Sequence, residues 1–133
     1  MSIDLLTALM GWAVLLSGLP APAALPRVVQ VEHQWLVATA CQGRECRVLG
    51  LTLALGPTVA LDRVLEPQND IYAAGIAVHE LVHVLQYANL PKWADCADLI
   101  AWERQAYQAQ RDYLLAYGVP TAAGVSMHMV GCD

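Results

Sequence analysis

The pattern in this chain that could do chemistry is a pair of histidines four residues apart, with a glutamate directly after the first. His79, Glu80 and His83 form the sequence H-E-x-x-H inside an apolar run. On a helix, residues four apart lie on one face, so both imidazoles can bind the same metal ion. Zinc suits such ligands and leaves one position open for water. Glu80 can then take a proton from that water as a general base.

The alternative is an ordinary amphipathic helix that carries two histidines without a metal. Apolar residues on nearly every side of the motif argue against it, because a helix that is hydrophobic almost all round is a buried one. Burying two histidines and a glutamate without partners is costly, whereas a metal would satisfy all three. We therefore expect His79 and His83 to be metal ligands and Glu80 to be the catalytic residue.

Two imidazoles leave the metal short of a third protein ligand. The candidates downstream are Asp95, Cys96, Asp98, Glu103, Asp112, His128 and Asp133. Glu103 is favoured, because it lies in the middle of a predicted helix that a short connector would fold back antiparallel, level with the motif. The alternative is that Glu103 faces solvent and pairs with Arg104 or Arg111. His128 is the second choice of ligand, although the methionines beside it favour local packing.

The motif helix and a later helix with Glu103-x-x-Ala106-Tyr107 together resemble the gluzincin branch of the zincin metallopeptidases, in the minimal single-domain form of a small bacterial family. The resemblance covers residues 71–117. It implies one zinc ion per chain, held by the two motif histidines and Glu103, with Glu80 as the catalytic base. The metzincin pattern differs, because it continues with a glycine and a third histidine that are absent here.

Length and composition limit the other classes of function. A chain of 133 residues predicts a single domain over residues 1–133. An apolar content of 57% with 14% charged residues is high, so either the helices are covered on several faces or part of the chain meets a membrane. The net charge of −5 gives no support for nucleic-acid binding, which needs a basic face. Arg44 and Arg47, a close basic pair, are expected in a solvated turn.

Four cysteines in a small chain favour a framework of two disulfides outside the cytosol. Four cysteines allow three connectivities. Cys41 and Cys46 could close a tight loop, which would leave Cys96 with Cys132. A structural zinc site is the competing interpretation, but C-x4-C without a second close pair is weak support for it. The cysteines and the apolar N-terminus favour a periplasmic or secreted protein.

Residues 1–24 are either a packed N-terminal helix or a signal peptide. Residues 3–19 are strongly apolar, and the small residues at 21–24 resemble a cleavage site. No basic residue precedes the apolar run, and Asp4 stands where a positive charge is expected, so the packed helix is slightly favoured. Asp4, Thr7 and Gly11 would form its one polar face. The run is short and interrupted, so no stable membrane span is expected.

The predicted fold class is α+β, with an N-terminal helix, a small antiparallel sheet, and then two long antiparallel helices. Three short strands are predicted at residues 28–31, 48–55 and 58–61. Residues 35–40 could continue a strand or form a helical turn. The motif helix is expected to be capped by Asn69 or Asp70 and to end near Asn89, and the last helix to span roughly residues 94–117. Residues 121–133 are expected to be irregular and pinned by Cys132.

The predicted function is that of a zinc-dependent, metallopeptidase-like hydrolase acting on a peptide or protein. The zinc-activated water would attack a peptide amide, with Glu80 taking its proton and passing it to the leaving nitrogen. The sheet edge nearest the motif helix could bind an extended peptide by strand addition.

Two other classes of protein are the alternatives to a peptidase. One is a non-catalytic zinc-binding interaction or structural module, in which His128, Asp133 or a cysteine would close the coordination shell. The other is a metal-free domain stabilised by disulfides. Tyr107 and Tyr113 could stabilise an oxyanion or pack in the core, and Trp93 and Trp102 are expected in the core or in cleft walls.

Overall fold

The described part of the chain folds into four α-helices and one three-stranded sheet. A computed structural model describes residues 1–129, 131 and 132, and for residues 128 and 129 the backbone alone. The elements in chain order are α1 (Ile3–Ser17), β1 (Arg27–Val31), α2 (His33–Ala40), β2 (Gly50–Leu53), β3 (Thr58–Asp62), α3 (Ile71–Asn89), α4 (Cys96–Ala116) and a short 3-10 helix (Val125–Met129). The predicted α+β class is confirmed.

Helix α1 is the packed N-terminal helix that the sequence favours. The Ser2 hydroxyl accepts from the backbone N–H of Leu5 at its start, and Gly18 adopts a φ of 73° at its end. Its inner face is buried against α3 and α4 through Leu6, Leu9, Met10 and Ala13. The predicted polar face of Asp4, Thr7 and Gly11 is exposed. Over the part of the chain that the structure describes, no helix has the length and apolar character that crossing a membrane requires.

The sheet is mixed, so the prediction of a wholly antiparallel sheet is wrong. The strand order is β1-β3-β2, with β2 antiparallel to β3 and β1 parallel to it. Parallel neighbours need a long crossover, and the segment between β1 and β3 provides one because residues 33–40 form helix α2 and not a strand. Strand β2 is also shorter than predicted, since only Gly50–Leu53 is paired.

Helices α3 and α4 are antiparallel, as predicted. Gly75 near the start of α3 faces Leu114 near the end of α4, and Gln86 near the end of α3 bonds to the Trp102 carbonyl near the start of α4. A Cβ atom on Gly75 would lie 3.2 Å from Cγ of Leu114, so the missing side chain lets the two helices approach closely. The pair is therefore aligned along its whole length.

Both predicted disulfides are present and use all four cysteines. Cys41 is bonded to Cys46, and Cys96 at the start of α4 is bonded to Cys132 in the tail. The competing interpretation of a cysteine zinc site is therefore wrong. The two bonds are compatible with an oxidising compartment.

His33 joins the first disulfide loop to the sheet. Its Nδ1 lies 3.0 Å from Oδ2 of buried Asp62, and its Nε2 lies 2.9 Å from Oε1 of Glu45 in the loop. The bond to Glu45, supported by Asp62 and opposed by partial desolvation, raises the pKa of His33 above its ordinary value. Only the protonated imidazole has an N–H on both nitrogens, so both contacts are full hydrogen bonds only in that state.

We expect this contact to make stability depend on pH. Because the folded pKa of His33 is raised, its stabilisation is fully present below the unfolded pKa of about 6.5 and is lost as pH rises through the folded pKa. Urea unfolding of wild type and His33→Asn should therefore show a difference in free energy of unfolding that shrinks toward alkaline pH. A difference that is constant with pH would contradict this role for His33.

Candidate metal centre

Helix α3 places His79, Glu80 and His83 next to one another near its middle. The side chain of Asp70 accepts from the backbone N–H of Tyr72 and begins the helix. The two imidazole rings then follow one another by one turn, with centroids 4.9 Å apart. His79 and Glu80 are each 6% exposed, and apolar neighbours cover most of the helix around them. The predicted burial of the motif is confirmed for His79 and Glu80, and His83 is partly buried.

Helix α4 brings Glu103 to the same place. Glu103 Oε1 lies 2.5 Å from His83 Nε2 and 3.7 Å from His79 Nε2. One ligand atom from each of the three residues lies within 4.8 Å of the others, so the group could hold a metal ion. The prediction that Glu103 would lie level with the motif is confirmed.

The other candidate ligands have different partners. The Asp95 side chain accepts from the backbone of Asp98 at the start of α4, and Asp98 accepts from Ala94. Asp112 accepts from the side chain of Gln108. The side chain of His128 and the whole of Asp133 lie outside the described part of the chain. Among the described residues, the metal group therefore consists of the two motif histidines and Glu103.

Each of the two histidine rings has a glutamine side-chain oxygen within hydrogen-bonding distance of its Nδ1. His79 Nδ1 lies 3.1 Å from Oε1 of Gln110, and His83 Nδ1 lies 2.7 Å from Oε1 of Gln86. Nε2 of Gln86 donates to the Trp102 carbonyl, which fixes its oxygen toward His83. Each Nδ1 can therefore donate to its glutamine oxygen, so that a neutral imidazole would keep its Nε2 lone pair for a metal ion.

This donor set fits a metal ion. Two imidazoles and a carboxylate converge, and each imidazole has the outer hydrogen bond that metal-binding histidines normally make. A donating Nδ1 leaves Nε2 as the nitrogen that a metal would bind.

His83 and Glu103 each stabilise the charged form of the other. Burial alone would lower the pKa of His83, but the hydrogen bond to Glu103 and the charges of Glu80 and Glu103 outweigh it and raise that pKa. Burial would likewise raise the pKa of Glu103, yet hydrogen bonds and charge from both histidines hold it well below its usual range. Glu103 is therefore an anion ready to neutralise a cation, whether a proton on His83 or a metal.

Glu80 is held by the edge strand of the sheet. The Thr52 hydroxyl on β2 lies 2.9 Å from Oε1 of Glu80 and 2.9 Å from its backbone oxygen. Oε2 of Glu80 instead lies 3.9 Å from Nε2 of His79. The carboxylate thus has one oxygen on the strand side and the other on the metal side.

An open cleft of about 470 Å³ runs over the group. One wall is β2 and the segment before it, including Arg47, which lies at the cleft and not only in a solvated turn. The lining also includes aromatic and apolar side chains, namely Tyr87, Trp93, Leu99 and Trp102. Within the described residues, β2 is paired with β3 alone, so its second edge has no strand partner, and Gly50, Leu51 and Thr52 line the cleft.

The two tyrosines differ in position. Tyr113 is buried in the core and its ring packs edge-on against Trp12. Tyr107 lines the cleft, with its ring centroid 4.4 Å from that of His79. Burial, with the charges of Glu103 and Glu80, raises the pKa of Tyr107, so its phenol stays protonated. Only Tyr107 keeps the predicted possibility of donating to an oxyanion.

The sequence analysis did not predict three residues of the site, Gln110, Thr52 and Gly50. Gln110 follows Glu103 by seven residues, which is about two helical turns, so its place on the same face of α4 was a readable signal. Thr52 and Gly50 left no such signal, because their contact with Glu80 depends on how the sheet packs on α3.

Comparisons of this chain with protein-family models, with curated proteins and with solved structures find no match.

We expect Gln110 to contribute to metal affinity through His79. Gln110→Leu keeps the size of the side chain but removes the acceptor, so zinc should bind roughly 10–100-fold more weakly. Gln110→Glu restores an acceptor and should bind zinc at least as well as Gln110→Leu does. Gln108→Leu, on the exposed side of the same helix, is the control. Competition against a chelator measures all four proteins, and equal affinities throughout would contradict the orienting role.

Proposed function

We propose that this protein is a zinc-dependent peptidase. The observation that carries the proposal is the convergence of His79, His83 and Glu103 beside the carboxylate of Glu80, in a cleft with an open strand edge. When bound, zinc supplies a Lewis acid that lowers the pKa of a water molecule toward neutrality. Side chains of this chain would supply the general base and the hydrogen-bond donor.

Glu80 would act as the general base. Its Oε2 faces the metal side of the cleft, where it can accept a proton from the attacking water and pass it to the leaving nitrogen. Tyr107, which lines the cleft and stays protonated, could donate to negative charge that develops on the carbonyl oxygen. Zinc ligands, base and donor thus line one cleft.

The open edge of β2 supports a peptide as substrate. An extended peptide can pair its backbone with an unpaired edge strand, which supplies affinity without regard to side chains. The segment from Arg47 to Thr52 lines the cleft together with the metal group, so a peptide paired there would pass close to Glu80. The aromatic and apolar side chains that also line the cleft could contact apolar side chains of such a peptide. The two disulfides favour action in the periplasm or outside the cell.

The test begins with the metal content of protein purified without added metal. Close to one zinc per chain is expected by elemental analysis. The zinc-loaded protein is then incubated with a mixture of peptides, and cleavage is followed by mass spectrometry with and without a chelator. Cleavage that disappears with the metal supports the proposal. A protein that binds no zinc after reconstitution would overturn it, and one that binds zinc but cleaves nothing would favour the non-catalytic zinc module.

A further inference from the structure

Strand β2 contacts the carboxylate of Glu80 through two residues on one of its faces. Gly50 and Thr52 are two residues apart, so both point toward α3. Thr52 is 8% exposed and Glu80 is 6% exposed, so their contact is shielded from water. Leu51, which lies between them, belongs to the alternate face of the strand.

The Thr52 hydroxyl has one proton and two oxygen atoms of Glu80 within 2.9 Å. A carboxylate oxygen is a stronger acceptor than a backbone carbonyl, because hydrogen bonds to carboxylates are shorter and stronger. A bond from Thr52 to Oε1 restrains rotation of the carboxylate. Oε2 is then kept on the side of His79, where the metal group lies.

Gly50 provides the space for this arrangement. A Cβ atom at position 50 would lie 2.9 Å from Cγ of Glu80 and 3.2 Å from its Oε2. Contacts of that length require the glutamate to move. The strand therefore has no side chain at position 50, where the Glu80 side chain lies. It has a hydroxyl donor at position 52, next to Oε1 of Glu80.

We propose that Thr52 is a positioning residue, which with the space left at Gly50 holds the Glu80 carboxylate so that Oε2 faces the metal group. This inference deepens the proposed function and rests on it, because it assigns Thr52 a role through the catalytic base. Since β2 is also the edge on which a peptide would pair, one strand both receives the substrate and orients the base.

Thr52→Val tests the proposal, because valine keeps the shape of threonine and removes the hydroxyl. Thr52→Ser keeps the hydroxyl and should behave like wild type. Thr58→Val is the control on the neighbouring strand, since the Thr58 hydroxyl bonds only within its own turn, to Gly56. Chelator competition should give the same zinc affinity in all of these proteins, because Thr52 makes no contact with a ligand.

The first readout is the affinity of the zinc-loaded protein for acetohydroxamic acid, measured by calorimetry. This chelator releases a proton when it binds a metal, and a well-placed carboxylate can accept it. Thr52→Val should weaken its binding roughly tenfold, because the carboxylate that accepts the proton is no longer restrained beside the metal group. In a Glu80→Gln background the same change should have little further effect. An unchanged affinity in Thr52→Val, or an equal loss in both backgrounds, would overturn the proposal.

The second readout is peptide cleavage, where Thr52→Val should lower kcat by a similar factor and leave KM unchanged. Gly50→Ala is a second route to the same displacement and decides the question if Thr52→Val does not fold. Its expected result is also weaker hydroxamate binding with zinc retained, and wild-type binding would count against the proposal.

The two readouts separate this proposal from the proposed function. If wild type cleaves no peptide but the hydroxamate results hold, the peptidase function fails and the positioning role stands. If wild type cleaves peptides and Thr52→Val does so equally well, only the positioning role fails.

Discussion

Glu80→Gln is expected to abolish most peptide cleavage and to leave zinc in place. The amide keeps the size of the carboxylate and can still accept from Thr52 through its carbonyl oxygen. It cannot accept a proton at neutral pH, and loss of a general base costs about 10²–10⁴-fold in rate. Because Glu80 is not in the ligand group, zinc content should match that of wild type. The measurement is kcat on a cleaved peptide, with zinc determined on the same sample.

The control for this change is Glu66→Gln, which removes a carboxylate from an exposed loop position that does not line the cleft. Its rate should equal that of wild type. Wild-type activity in Glu80→Gln would refute the assignment of the base, and loss of zinc would show that Glu80 is itself a ligand.

Glu103→Ala is expected to weaken zinc binding by more than about a hundredfold. Even the loss of an outer hydrogen-bond partner costs 10–100-fold, and Glu103 is the one anion in the ligand group. At zinc a hundred times above its Kd, wild type should gain about 2.7 kcal/mol of stability. At the same zinc concentration the variant should gain less than about 0.5 kcal/mol. Thermal unfolding with and without zinc measures both gains.

Asp112→Ala is the matched control, because it removes another carboxylate from α4 that bonds only to Gln108. It should keep the full stabilisation by zinc. A Glu103→Ala protein that is stabilised as much as wild type would leave the two histidines with some other third ligand, and the proposed site would be wrong.

The part of the site that the sequence predicted is the part fixed by helical geometry. His79 and His83 are four residues apart, so any helix through them brings the rings together. Predicting the position of Glu103 also required α4 to return antiparallel to α3. The short connector between the two helices favours that return. Helical periodicity and one short connector were therefore enough to predict the three candidate ligands.

The part that the sequence did not predict depends on contacts between distant segments. The direction of β1 depends on where the chain returns to the sheet, and the residues 35–40 suited both a strand and a helix. The bond from Thr52 to Glu80 requires the strand register and its packing on α3 to be known together. No pattern along the chain records such a contact.

The N-terminal helix has a link to the metal group that its apolar character does not reveal. His83 is bonded to Gln86, Gln86 donates to Gln105, and Gln105 donates to the carbonyl of Ser17 at the end of α1. This continuous path of hydrogen bonds passes through Gln86, whose side chain is fully buried. Helix α1 is thus connected by hydrogen bonds to a candidate metal ligand, in addition to covering the core. Cleavage or substitution within α1 would therefore alter the hydrogen bonds that orient the imidazole of His83, more than sixty positions further along the chain.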